Sequence, residues 1–195
     1  MTTRRNFLKT SALVTAGSLI TPASIFSQSN KSSRLGGSKT MQLTFKPYEG
    51  KLVHPFTVSG YTRTTTPIVL TEITYDGVTG YGEAAMPPYL GETIASVTSF
   101  LEKVNLKQFS NPFELDDILA YVDAIAINNT AAKASVDIAL HDLVGKLIGR
   151  PWHQIWGYTA SKAPVTTFTI GIDTEEMVKQ KTRETEQFKV IKVKL

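Results

Sequence analysis

The chain has 195 residues, no cysteine, and 21 Lys and Arg against 17 Asp and Glu, with a sequence pI near 9.2. The missing thiol excludes disulfides and thiolate chemistry. The basicity gives no nucleic-acid signal: six of the 21 basic residues (Arg4, Arg5, Lys9, Lys31, Arg34 and Lys39) fall in the first 40 residues, which hold no acid, so the other 155 carry 15 basic against all 17 acidic residues, a net of −2.

Those first 40 residues read as a leader. Thr3-Arg4-Arg5-Asn6-Phe7-Leu8-Lys9 precedes a mildly apolar run from Ser11 to Ile20 and then Pro22-Ala23-Ser24. A charged start, a short apolar core and small residues predict a secretory signal over residues 1–27, too short to be a stable membrane anchor. The paired arginines followed by Phe-Leu-Lys resemble a twin-arginine export signal, which implies the twin-arginine export machinery as a partner and a periplasmic or otherwise exported product. Cleavage after Ala23, Ser27 or Ser29 fits equally well. Residues 28–40 are rich in Ser, Gly and Lys and read as a linker.

Residues 41–49 alternate, with Leu43 and Phe45 against Gln42, Thr44 and Lys46, and predict a strand. Pro47, Gly50 and Pro55 break that pattern. Residues 54–66, which carry Phe56, Tyr61 and Arg63, are expected to form a mobile loop. A β-branched run over 68–75, Asp76-Gly77 and a return over 78–83 predict a hairpin. Glu83, at its end, fits a functional acid, a cap or a salt-bridge partner. Residues 86–91 form a second loop.

Three helices are expected next. Thr93 caps one running to about residue 104, and Asn111-Pro112-Phe113 opens another over 114–126. The third, over 130–148, is apolar around most of its girth and is closed by Gly149-Arg150-Pro151. Within it Asp142 and Lys146 can pair across one turn, Gly145 permits a close backbone approach, and His141 reads as structural. Trp152 and Trp156 bracket a turn and read as packing.

Residues 163–170 predict a strand, 173–186 a helix with acids in its first turn, and 188–195 a second strand, parallel to the first. On that second strand Lys192 and Lys194 share a face. Two readings are open from these residues alone. The face is solvated, as on an edge strand, or it is enclosed, in which case crowding and desolvation favour a neutral amine able to take a proton. A (β/α)8 barrel takes about 250 residues, and 33 remain from Ala163; the expectation is the N-terminal portion of a longer protein.

Three segments together carry a resemblance: Thr79-Gly80-Tyr81-Gly82-Glu83-Ala84; the run from Ala131 to Lys146 with Gly149-Arg150-Pro151; and Lys192-Val193-Lys194. In this order they resemble the enolase superfamily, in its muconate-lactonizing-enzyme-like branch, and within it the dipeptide epimerases of the L-Ala-D/L-Glu type. Pro55-Phe56, the run from Tyr89 to Thr93, and Thr167-Phe168-Thr169-Ile170 support it. The resemblance implies an α+β N-terminal capping domain over residues 41–157, followed over 163–195 by the truncated start of a (β/α) TIM-type barrel. It implies that Lys194 is the proton-abstracting base, that Lys192 beside it lowers its pKa and helps hold the substrate carboxylate, and that Thr169 faces the substrate. Arg63, or equally Tyr61, meets a substrate carboxylate from the loop. A dipeptide substrate, of cell-wall type, and Mg²⁺ are implied for the full-length enzyme, with room for an oligomer. The three metal carboxylates and the opposing lysine belong to later strands, so no metal ligand is assigned here and the chain alone is expected to be inactive. The competing expectations are a cycloisomerase, an o-succinylbenzoate synthase or an acid-sugar dehydratase of the same superfamily, and a non-catalytic exported binding module.

Overall fold

A computed structural model describes residues 40–195. The expected signal over 1–27 and almost all of the linker lie outside the described residues. No helix among the described residues is long and apolar enough to cross a membrane.

Three antiparallel strands come first, in the order β1-β2-β3: β1 (Gln42–Val58), β2 (Tyr61–Tyr75) and β3 (Val78–Ala85). The β2–β3 turn is the predicted one. Asp76 and Gly77 both have positive φ, 48° and 77°, the pairing that matches the twist of two strands joined by two residues. The expected loop over 54–66 is instead β structure. Pairing of β1 with β2 runs from Gln42↔Thr74 to Lys51↔Thr65, shifts, and resumes from Phe56↔Arg63 to Val58↔Tyr61. The expected breakers are absorbed because β1 is an edge strand. Pro47, opposite Val69, needs no outward N–H, and residues 52–55, with Pro55 among them, bulge out of the ladder against Thr64 alone.

One face of the sheet is apolar and small. Val69, Thr71 and Ile73 of β2 are fully buried, and Gly80, Gly82 and Ala84 of β3 lie beside them. Helices α1 (Ile94–Leu101), α2 (Leu115–Ala124) and α3 (Thr130–Ile148) follow. The first two are shorter than expected. The turn after α1 tightens, with Lys103 and Val104 amides donating three residues back to the Phe100 and Leu101 carbonyls. Thr93 caps α1 reciprocally with Ser96. Helix α3 has the predicted bounds and is the hub of the core, burying Ala132, Val136, Ala139, Leu140 and Leu143 completely. It lies so close to β3 that a Cβ at Gly80 would stand 2.1 Å from the Ala139 carbonyl oxygen, and one at Gly82 2.0 Å from that of Ser135. Buried Thr71 Oγ1 donates to Ser135 Oγ at 3.0 Å across the same contact. Lys146 and Asp142 pair as predicted, at 2.5 Å, and Asp142 also accepts from the Tyr81 amide of β3 at 2.9 Å. Gly149, at φ 71°, ends α3, and the Arg150 amide returns to the Gly145 carbonyl.

Beyond a short helix, α4 (Trp152–Ile155), comes a strand–helix–strand unit: β4 (Thr167–Ile170), α5 (Glu175–Glu184) and β5 (Val190–Val193). The strands are parallel, as expected, with Thr167↔Val190 through Ile170↔Val193 in register. Residues 163–166, expected in the first strand, are not paired, since β5 offers only four partners.

Candidate functional site

The hairpin tip formed by the ends of β1 and β2 leans over the C-terminal ends of β4 and β5. Ile172, just after β4, donates its amide to the Thr57 carbonyl at 2.9 Å. Gly171 makes this approach feasible, because a Cβ there would stand 2.8 Å from Thr57 O. Lys194 lies one residue past β5 and extends the ladder, its amide donating to the Ile170 carbonyl at 2.9 Å.

Two hollows flank this junction. An open cleft of about 580 Å³ is bordered by Lys194, by Val58, Ser59 and Tyr61 of the hairpin tip, and by Pro88 and Tyr89. A second, of about 270 Å³, holds Arg63 and Thr169 with Phe56, Phe168, Gly171 and Lys181. Tyr61 and Arg63 are two residues apart on β2 and so share its side; each serves one hollow. The Arg63 guanidinium lies 5.4 Å from the centre of the Phe56 ring and donates from Nη1 to Thr66 Oγ1 at 3.3 Å. Its Nε is buried with no hydrogen-bond partner. A planar cation with a free buried donor suits a carboxylate.

Of the five residues singled out from the sequence, Lys194 and Tyr61 therefore meet in one hollow, and Arg63 and Thr169 in the other. Lys192 is in register with Thr169 but is exposed and borders neither. Lys194 is half-buried. Glu83 is exposed on β3, and among the described residues it joins no ion pair. His141 is structural, as read: its ring packs edge-on against Trp152, with centroids 4.6 Å apart, and its Nδ1 lies 2.6 Å from Asp137 Oδ1.

Tyr89 was not singled out from the sequence as a site residue, yet it borders the Lys194 cleft. Glu92, just beyond the same turn, has a carboxylate that accepts from Thr130 Oγ1 at 2.8 Å and from the Ala131 amide at 3.0 and 3.2 Å. Glu92 thereby caps α3, whose own N-cap residue Asn129 makes no side-chain cap. Sequence reasoning missed the docking contacts altogether. Lys181 of α5 pairs with Asp173 at 2.8 Å and donates to the Pro55 carbonyl at 3.3 Å; His54 meets Glu184 at 2.5 Å. The Lys181 hydrogen bond, aided by the Thr174 amide, holds the Asp173 carboxyl below its ordinary value, and bonds from Gln180 and then His54 do the same for Glu184. Partners 126 and 130 residues apart leave no local signature.

Residues 42–157 match the family described as mandelate racemase / muconate lactonizing enzyme, N-terminal domain. The L-Ala-D/L-Glu epimerase of Bacteroides thetaiotaomicron is 57% identical over 201 residues, an alignment that covers 100% of this chain and 52% of that protein. Two solved dipeptide epimerases are similar in structure. That of Methylococcus capsulatus, complexed with Mg and the dipeptide L-Arg-D-Lys, is 27% identical with a TM-score of 0.72; that of Enterococcus faecalis V583, complexed with Mg and L-Leu-L-Tyr, is 30% identical with a TM-score of 0.70. Each alignment covers 80% of this chain and 46% of the solved one. The chain thus spans about half the length of these relatives. With its α+β cap leading into the parallel start of a barrel, it belongs to the mandelate racemase / muconate lactonizing enzyme family of the enolase superfamily.

Proposed function

We propose that the complete protein is an exported, Mg²⁺-dependent dipeptide epimerase that moves a proton at the α-carbon of an L-Ala-D/L-Glu-type dipeptide. The observation that carries this reading is the cleft in which Lys194, at the end of a parallel strand, is overhung by Tyr61 and Tyr89 of the cap. A hydrogen beside a carboxylate is very weakly acidic, so its removal needs a base held close and shielded from water. Lys194 supplies the amine in this proposal. In this proposal the dipeptide reaches from the Lys194 cleft to the second hollow, where Thr169 faces it and the free Nε of Arg63 receives a carboxylate, while Lys192, outside both hollows, acts through Lys194 on the same strand.

Mg²⁺ bound to the substrate carboxylate would neutralise the charge that develops there. Among the described residues no group of three or more His, Asp or Glu side chains stands together to hold it. These residues do not by themselves make up a metal site. We assign the metal ligands and the second, opposing acid to residues outside 40–195, and residues 1–195 alone to an inactive state.

The test is deuterium wash-in at the α-carbon of Ala-Glu and related dipeptides, catalysed by the complete protein in D₂O. Wild type is expected to exchange, and Lys194→Met to lose at least about 100-fold of that rate. Exchange with no dipeptide would sink the reading. Export is tested separately: replacing Arg4 and Arg5 by lysine is expected to leave the protein in the cytoplasmic fraction.

A further inference from the structure

Helix α5 is the outer helix of a strand–helix–strand unit, and such a helix ordinarily buries apolar side chains against its strands. The most deeply buried side chain of α5 is a lysine: Lys181 is only 4% exposed. An ammonium is kept in such a place only when its charge and donors are met. They are met by two segments far apart in sequence, the Asp173 carboxylate just after β4 and the Pro55 carbonyl of the hairpin. That carbonyl is available because residues 52–55 bulge out of the β1–β2 ladder. At the edge of the same contact, half-buried His54 and exposed Glu184 form a second clasp between hairpin and helix.

We propose that Lys181, paired with Asp173, is a positioning residue that pins the hairpin through the Pro55 carbonyl and so keeps Tyr61 over the Lys194 cleft and Arg63 in the second hollow. The catalytic part of this inference rests on the function proposed above; the docking part does not. The hairpin tip is three to eight residues from the pinned carbonyl, on the same two-stranded ribbon. Lys181 itself faces the Arg63 hollow and not the Lys194 cleft, so its effect on substrate passes through the hairpin.

Amide hydrogen exchange in the complete protein reads the docking directly, because the Ile172 amide is bonded to the hairpin carbonyl of Thr57. The Lys194 amide, bonded to Ile170, is the internal control for an intact β4–β5 ladder. Lys181→Met keeps the stem and removes the ammonium. It is expected to speed exchange at Ile172 by about tenfold or more with Lys194 unchanged, and to raise KM for the dipeptide by about tenfold while kcat moves by less than about threefold. Asp173→Asn alone, which leaves a buried charge unpaired, is expected to disturb folding more than the double variant that removes both charges. Unchanged exchange at Ile172, or equal acceleration at Ile172 and Lys194, overturns the proposal. Should Lys181→Met not fold, the double variant Lys181→Met/Asp173→Asn, which leaves no buried charge unpaired, carries the same exchange readout, and unchanged Ile172 exchange there counts equally against it. A wild-type protein without epimerase activity would remove the proposed function and leave the exchange result to judge the docking.

Discussion

Gly82→Ala should be among the most destabilising single-methyl changes in this chain. The added Cβ would stand 2.0 Å from Ser135 O, 2.9 Å from Ala139 N and 3.0 Å from Ser135 C. All three are backbone atoms within one turn of α3, so no side chain can swing aside to relieve the overlap. Either α3 or β3 must retreat by about 1 Å or more to reach ordinary contact. That movement would lift Val136, Ala139 and Leu140 from the sheet and stretch the buried Thr71–Ser135 hydrogen bond. Overpacking usually costs about 1–3 kcal/mol, and contact with rigid backbone places this case at about 3 kcal/mol or above, against a total stability of about 5–15 kcal/mol. Urea unfolding followed by the fluorescence of Trp152 and Trp156 should show the midpoint fall by about 1–3 M. Gly50→Ala is the matched control. Its Cβ would make only ordinary contacts, with the Thr66 methyl at 3.4 Å, Thr66 O at 3.7 Å and Tyr48 Cε1 at 3.8 Å, and the change should stay within about 0.5 kcal/mol. Equal midpoints for the two variants would refute the claim that glycine is required at position 82 by helix–strand proximity.

Glu92→Ala removes the carboxylate that accepts from Thr130 Oγ1 and the Ala131 amide at the start of α3. A loss of about 1–2 kcal/mol is expected, seen as a fall in Tm of about 2–8 °C; an unchanged Tm would place the cap elsewhere. Acidification should undock the hairpin. The carboxyls of Asp173 and Glu184 are held below their ordinary values of 3.8 and 4.5, by Lys181 and by Gln180 with His54. A depressed carboxyl gives stability that is present above its unfolded pKa and lost as pH falls through the folded one. Exchange at the Ile172 amide, corrected for its intrinsic pH dependence, should therefore not accelerate between pH 7 and about 5, and should accelerate below about 4. Weakening already between pH 7 and 5 would contradict that sign.

The features legible in the sequence were those with local chemistry. Asp76-Gly77 can form only a narrow set of turns, and it formed the tight hairpin turn it predicts. The third helix was closed by Gly149-Arg150-Pro151, and it spans Thr130–Ile148 as read. Residues 54–66, expected as a loop, form β structure because Pro47, Gly50 and Pro55 disrupt a central strand but are tolerated at an edge, and edge position is a tertiary fact. For the site, the parallel register and shared parity of β5 were readable, and the predicted residues meet in pairs, Tyr61 with Lys194 in one hollow and Arg63 with Thr169 in the other. The contacts that dock the hairpin were not readable. Nothing beside Gly171 in the sequence marks a close approach, and Lys181 stands among Glu, Gln, Lys and Arg on α5.

That misplaced lysine allows a last, direct check. The two-residue spacing drew attention to Lys192 and Lys194 as candidates for an enclosed amine. Lys192 is exposed, Lys194 is half-buried, and the enclosed ammonium belongs to Lys181, at 4% exposure and paired with Asp173. Acylation of an amine needs access to the reagent. Lys181 is denied it by the hairpin and is held in its ion pair with Asp173. Lys192 is exposed. Brief treatment of the folded protein with an amine-acylating reagent, followed by peptide mass mapping, should modify Lys192 readily and Lys181 more slowly by at least about 100-fold, since Lys181 can react only through local opening. The same treatment in urea should equalise them. Comparable rates for the two lysines in the folded protein would mean that the hairpin does not close over α5, and the positioning role assigned to Lys181 would fall with it.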